Sequence, residues 1–213
     1  MQYCDLKRLM DISYAIILGF IFGPVCLLTA IAIKLESPNG PVLADIPNRV
    51  GKNGKLFKLY KFRSMIPNAR ELLRTDPKLK MLYEEYKKNS FKLNDDPRVT
   101  AVGKFIRKYS IDEVPQIFNI LKGEMSLIGP RPYFADELEH QQKKYPHTQN
   151  LVKMALSVRP GITGQWQVSG RSEINFDKRI DMDAHYAENM NLWYDLKILL
   201  KTPFVMLSGK GAV

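Results

Sequence analysis

Two adjacent carboxylates, Asp112 and Glu113, lie in the stretch RKYSIDEVPQIFNILKGEMSLIGPRP, Arg107 to Pro132, which closes on an arginine held between two prolines. Neighbouring carboxylates can cap a helix, bind a divalent cation, move protons or attack an electrophile. Ser110 to Glu113 matches a capping box, and acids are favoured in a first helical turn, so capping is the plainest reading. Pro115 refines it, because a residue without an N–H must fall in the first turn if the helix is to keep its ladder. A start at Ser110 sets Pro115 too deep, whereas a start at Asp112 does not. Asp112 is therefore expected at or next to a helix N-terminus, where the dipole favours its ionised form and also attracts phosphate.

Cations are the natural complement of such a pair. Arg131 stands between Pro130 and Pro132, whose fixed dihedrals clamp the backbone, and its planar fork suits a bidentate phosphate contact; an ordinary arginine in a proline-rich turn is the competing reading. In KLFKLYKFRSM, read as a strand over residues 55–65, Lys61 and Arg63 share a face and either grip a phosphate or form a solvated edge. VRPGITGQWQVSGR sets Arg159 before Pro160, then glycines that allow close backbone approach, Trp166 as a surface for a base or sugar, and Arg171. Three scattered histidines and two cysteines, Cys4 and Cys26, give neither a metal-ligand spacing nor a disulfide framework, as expected of a reducing compartment.

The elements that must hold these residues begin with an apolar run, Ile12 to Ile33, of about 22 residues without a charge, the length that crosses a hydrocarbon core. It is too long for a typical signal-peptide core and too apolar all round for an ordinary buried helix. Gly23 and Pro24 in its middle invite a kink or reversal. Met1 to Ser64 carries nine Lys/Arg against four Asp/Glu, so both flanks are drawn to the cytoplasmic side. A re-entrant helix-hairpin over 1–36 keeps both flanks on one side, each arm being about 16 Å, one leaflet deep. A straight span is the alternative. Residues 37–213 then form a catalytic domain on the cytosolic face, beginning in a Pro/Gly/Asn-rich connector.

The rest reads as α+β and helix-rich. Two short amphipathic helices are expected in 68–91, interrupted at Pro77, with a helix capped by Thr100, helices over 136–145 and 176–189, and a C-terminal segment with Trp193 and Tyr194 that suits a membrane-interface helix or a core helix. With 213 residues, 32 Lys+Arg and 22 Asp+Glu, the chain supports one catalytic-sized unit that favours an anionic partner. The aromatics do not interleave with a concentrated basic stripe, which argues against nucleic acid. A membrane-tethered basic binding module without catalysis is the reading from a different class.

The blocks KRLMDISYAIILGFIFGPVCLLTAIAIKLESPNGPVL, FKLYKFRSM, DPRVTAVGKFIRKYSIDEVPQIFNILKGEMSLIGPRP and VRPGITGQWQVSGR, in this order, resemble the bacterial sugar transferases that act on polyprenyl phosphate, the monotopic phosphoglycosyl transferases. The resemblance covers nearly the whole chain. It implies transfer of a sugar-1-phosphate from a nucleotide diphosphate sugar, usually a UDP-sugar, to undecaprenyl phosphate, with release of UMP, as the first membrane step of surface glycan assembly such as exopolysaccharide or capsule. It implies Asp112 as the nucleophile that forms a phosphosugar-aspartyl enzyme, or as a general base for direct attack by the lipid. Glu113 would bind Mg2+, and Lys61, Arg63, Arg107, Arg131 and Arg159 would neutralise substrate phosphate. Gly23-Pro24 matches the break in the family's re-entrant helix, where some members have Ser-Pro. The implied setting is the cytoplasmic face of the bacterial inner membrane, with the lipid bilayer, a homo-oligomer or downstream glycosyltransferases as further partners. Larger relatives carry several N-terminal transmembrane helices and an extra domain, so a minimal member or an isolated catalytic part is expected, and residues 68–91 exceed the smallest members.

Overall fold

The structure is a computed structural model that describes residues 3–88, 93, 96–170 and 174–208. Its first element, α1 (Tyr3–Glu36), is one continuous helix of 34 residues. The two arms expected on either side of Gly23-Pro24 are therefore joined: a proline removes a single helical hydrogen bond, here the one to the carbonyl of Phe20, and the ladder resumes. α1 is long and apolar enough to cross a membrane. Its mid-section leaves Phe20 81% and Leu28 67% exposed.

Both ends of α1 pack on the same globular body. Near the N-terminus, Asp11 is buried and accepts the Ser126 hydroxyl at 3.0 Å and the Leu127 N–H at 2.9 Å, while Arg8 donates to the Ile120 carbonyl at 2.6 Å. Tyr3 and Lys7 both donate to the buried carboxylate of Asp195, which also accepts from Tyr186. At the other end, Glu36 accepts the N–H groups of Ala101 and Val102, and Ile33 packs with Phe62 and Ile106.

Two small sheets organise that body. β1 (Arg49–Val50) lies between β2 (Leu56–Phe57) and β4 (Tyr133–Phe134), all antiparallel, and β3 (Ser126–Ile128) runs parallel to β5 (Gly161–Thr163) with Ser126 opposite Gly161. Gly161 is required there, since a Cβ on it would meet the Gly129 nitrogen at 2.1 Å. The expected strand over 55–65 is shorter. It pairs at Leu56–Phe57, and beyond that the described residues show single bridges, Phe62 to Leu43 and Met65 to Val99, because the connector and the stretch before Thr100 offer too short a partner for a ladder.

The helices expected in 68–91, after Thr100, over 136–145 and over 176–189 are present, with residues 89–91 outside the described residues, and a further one, over 149–155, follows no expectation. α2 (Ala69–Thr75) and α3 (Lys80–Lys88) flank the 3-10 turn at Pro77, α4 (Ala101–Lys108) is capped by Thr100 Oγ1 on Gly103 N at 2.9 Å, and α5 (Ile117–Lys122) ends on Gly123. α6 (Ala135–Lys144), α7 (Gln149–Ala155) and α8 (Phe176–Asn189) enclose a core of Tyr133, Leu138, Val152, Phe176 and Ile180. α9 (Leu192–Ser208) continues through Pro203 rather than breaking at it. α4, α5 and α9 leave Phe105, Phe118, Trp193 and Phe204 exposed.

α4 approaches the extended segment so closely that a Cβ at Gly103 would sit 2.0 Å from the Ser64 carbonyl oxygen. Backbone cannot yield as a side-chain tip can. Gly103→Ala is expected to destabilise the fold by about 1–3 kcal/mol through overpacking, read as a lowered midpoint in detergent thermal melts.

Candidate active site

Asp112 is the second residue of a 3-10 turn, Ile111–Gln116, that leads into α5. Ser110 precedes it with φ of 55° and makes no side-chain cap bond, so the capping box does not form; a cap needs extended backbone at that residue. In an i to i+3 ladder the N–H that reaches the Asp112 carbonyl belongs to residue 115, which is proline. That carbonyl instead accepts the N–H of Phe62 at 2.9 Å. The bond draws the extended segment against the turn. One residue back, Lys61 sends Nζ to 2.7 Å from Asp112 Oδ2 and 3.2 Å from Glu113 Oε1. The Glu113 contact is a hydrogen bond, whereas the closer Asp112 contact lies off the hydrogen-bonding direction and acts as an ion pair.

Asn119 keeps this segment in place from below. It is fully buried on α5, accepts the Tyr60 N–H at 3.0 Å and donates to the Lys58 carbonyl at 2.7 Å. Arg107, on the last turn of α4, donates Nε to Ser64 Oγ at 2.9 Å. Behind it, Asp96 and Arg98 form a buried pair, with Asp96 accepting at 2.8 and 2.6 Å.

The charges pull in opposite directions. Burial pushes the Asp112 carboxyl up; Lys61 and Arg107 pull it down, Glu113 adds to the rise, and it stays above the usual carboxylate range. Burial acts downward on Lys61, but Asp112 and Glu113 outweigh it and hold the ammonium above its usual value. Arg107 is lowered by burial, with Asp112 and Asp96 opposing. The site therefore holds a carboxylate that is costly to ionise beside a lysine that is hard to discharge. Asp112 itself is only 2% exposed, so a ligand reaches it past Lys61 and Glu113.

Of the other expected site residues, Arg63 and Arg159 are committed to main-chain carbonyls instead. Arg63 is buried and donates to the carbonyls of Asn39 and Ser37 at 2.7 and 2.6 Å, which fixes the connector after α1 instead of joining Lys61. Gly40 accommodates it, at φ of 113° with no room for a Cβ beside the guanidinium. Arg159 donates to the Gly123 carbonyl at 2.8 Å. Arg131, between Pro130 and Pro132, stands 5.3 Å from the Trp166 ring, and Arg179 stands 5.4 Å from it. Trp166 is 5% exposed, which leaves little ring surface for a base. Arg171 lies outside the described residues. Asn119, Asp96, Arg98, Arg179 and Asp183 are buried polar groups that the sequence reading does not single out; a lone Asn within IFNIL was a usable signal.

Among the described residues, no three His, Cys, Asp or Glu side chains stand close enough to hold a metal ion. Asp112 and Glu113 offer one pair of oxygen donors. Such a pair fits Mg2+ when substrate phosphate and water complete its shell. A cavity of about 30 Å³ among Asp11, Tyr14, Leu127 and Asp195, and an open cleft of about 320 Å³ beside His185, Trp193 and Lys197, both lie away from these carboxylates.

A family model described as bacterial sugar transferase matches residues 2–209. The chain is 46% identical over 211 residues to an undecaprenyl-phosphate galactose phosphotransferase of Salmonella typhimurium, covering 97% of this chain and 41% of that protein. It is 46% identical to an uncharacterized sugar transferase of Haemophilus influenzae, covering 97% and 42%. It is 41% identical over 207 residues to the exopolysaccharide production protein ExoY of Sinorhizobium fredii, covering 95% and 86%. The chain thus spans about two fifths of the first two relatives and most of the third.

Lys61 opposes the upward pull of burial on Asp112, so its removal is expected to raise the Asp112 titration midpoint further. In 13C-carboxyl NMR, Lys61→Met should move that midpoint to higher pH and Lys61→Arg should restore most of the difference. An unmoved midpoint would show that the pair is not electrostatically coupled.

Proposed function

Because the chain belongs to the bacterial sugar transferase family, we propose that it transfers a sugar-1-phosphate from a nucleotide diphosphate sugar to undecaprenyl phosphate, with Asp112 as nucleophile. The observation that carries the reading is the buried Asp112 carboxylate, paired with Lys61 and within the field of Arg107. An Asp112 oxygen attacks the phosphorus that bears the sugar. The P–O bond to the nucleotide breaks, and UMP leaves with the electron pair when the donor is a UDP-sugar. An oxygen of the lipid phosphate then attacks the same phosphorus and returns Asp112 as a free carboxylate. Splitting the transfer lets a soluble donor and a lipid acceptor use one site in turn.

Lys61 exchanges its carboxylate partners for phosphate oxygens as the donor enters, and Arg107 adds positive charge where the transferred group gains negative charge. Arg131 supplies a further phosphate contact. Bound Mg2+, held by Glu113 and substrate oxygens, would neutralise the diphosphate as a Lewis acid. A general-base role for Asp112 has little to do, since a phosphomonoester with a second pKa of about 6 is already ionised near neutrality.

The membrane reading rests on α1. A lipid acceptor must meet Asp112 at the bilayer surface, and both ends of α1 pack on the catalytic body while its apolar middle is bare. We place both flanks on the cytoplasmic side, with α1 entering and leaving one leaflet, and the exposed aromatics of α4, α5 and α9 at the lipid interface.

Asp112→Asn should lower UMP release from a UDP-sugar and undecaprenyl phosphate by about a thousand-fold or more. Intact-mass analysis with donor and magnesium but no lipid should show a phosphosugar adduct on the wild type. Its absence under trapping conditions would sink the covalent step while leaving the overall transfer standing. Cysteines placed at Gln2 and Gly40 should label from the same side of the membrane, and opposite sides would overturn the single-leaflet arrangement.

A further inference from the structure

In Pro130–Arg131–Pro132 the two prolines have no N–H, so Arg131 offers the turn's single backbone donor. That donor goes to Asp183, a fully buried carboxylate on α8, at 3.2 Å. The same oxygen, Oδ2, accepts the Tyr133 hydroxyl at 2.8 Å, and Oδ1 has no hydrogen-bond partner among the described residues. The carbonyls on either side are held independently: Pro130 accepts from Gly161 N at 2.8 Å and Pro132 from Arg49 Nη1 at 3.2 Å. Asp183 thus ties α8 to the backbone of the residue whose guanidinium stands over Trp166.

We propose that Asp183 is the positioning residue of Arg131: its carboxylate fixes the backbone from which the guanidinium reaches a substrate phosphate, and the hold weakens when the carboxylate takes up a proton. This rests on the reading of Arg131 as a phosphate ligand. An ionised acceptor makes the stronger bond to an N–H and to a phenol, and a neutral acid has one lone-pair site fewer and a proton to place. The charged and titratable groups around Asp183 are Arg131 and Tyr133 from the turn and β4, Arg179 from its own helix, Tyr194 from α9, and Glu137 from α6, which pairs with Arg179 at 3.4 Å. Burial raises the Asp183 pKa against the Tyr133 and Arg131 hydrogen bonds and the two arginine charges, which together leave it pushed up to about 7. The carboxylate therefore changes state close to neutrality.

Below the midpoint Asp183 is protonated and Arg131 is held less firmly; above it the turn is fixed. A double-mutant cycle in detergent micelles with a UDP-sugar, magnesium and undecaprenyl phosphate tests the claim, with kcat/KM taken at pH 6 and pH 8. Asp183→Asn is expected to lose about 10- to 100-fold at pH 8, with a smaller loss at pH 6 where the wild type is itself loosened. In an Arg131→Ala background, Asp183→Asn should have little further effect, and Asp183→Glu should recover part of the loss in the Arg131 enzyme.

Equal losses from Asp183→Asn with and without Arg131 would make Asp183 a structural residue only and overturn the proposal. Full activity of Arg131→Ala would instead remove the phosphate role of Arg131, a separate failure that strikes the reading beneath it. If Asp183→Asn does not fold, Tyr133→Phe carries the test. Loss of the phenol bond raises the Asp183 midpoint, so the pH at which activity is half-recovered should move upward, and an unmoved midpoint overturns the proposal.

Discussion

A missing hydrogen at Pro115 organises the centre of this protein. Because the proline cannot bond back to the Asp112 carbonyl, that oxygen is left for Phe62, and the bond from Phe62 joins the extended segment to the turn that carries Asp112. Lys61 reaches Asp112 and Glu113 only because its neighbour is pinned there. Asn119 then fixes the same segment three and one residues before Lys61, at Lys58 and Tyr60, so the position of the ammonium is set by backbone contacts on both sides.

A second theme is how few of the arginines are free to act on a ligand. Arg8, Arg63 and Arg159 donate to main-chain carbonyls, Arg98 to Asp96 and Ala69, and Arg179 to Glu137. These groups brace loops and helix ends with charge-assisted bonds that outlast a change of salt. A net charge of +10 therefore overstates the positive surface that a nucleic acid would meet. Concentration of cations at Asp112 comes from two side chains, Lys61 and Arg107, brought in from separate elements.

How much of this could be read from residues alone depends on range. Thr100 as a cap, the break at Pro77, and the helices at 136–145 and 176–189 follow from local pattern, and all are present. Pro115 pointed to a start at Asp112, yet the turn begins at Ile111 with Ser110 at its N-cap position; being 3-10, it tolerates the proline at the loss of one bond, to the Asp112 carbonyl, whose partner lies fifty residues away. The shared face of Lys61 and Arg63 assumed a regular strand. With pairing reduced to single bridges, the two side chains part, one to the carboxylates and the other to the connector after α1. Asp183 sits in an unremarkable polar helix in sequence, and only its three-dimensional meeting with a donor between two prolines gives it a role.

The polar residues along α1 carry a consequence for anyone who would shorten this protein from its N-terminus. Asp11, Arg8, Lys7 and Tyr3 bond to β3, α5 and α9, and Glu36 covers the first N–H groups of α4, whose far end bears Arg107. A chain beginning after Glu36 would lose one wall of its core. It would leave the Asp195 carboxylate without two of its donors and the Leu127 amide without its acceptor. The helix is part of the fold's chassis rather than a detachable appendage, and a version without it would need a replacement surface, not a deletion.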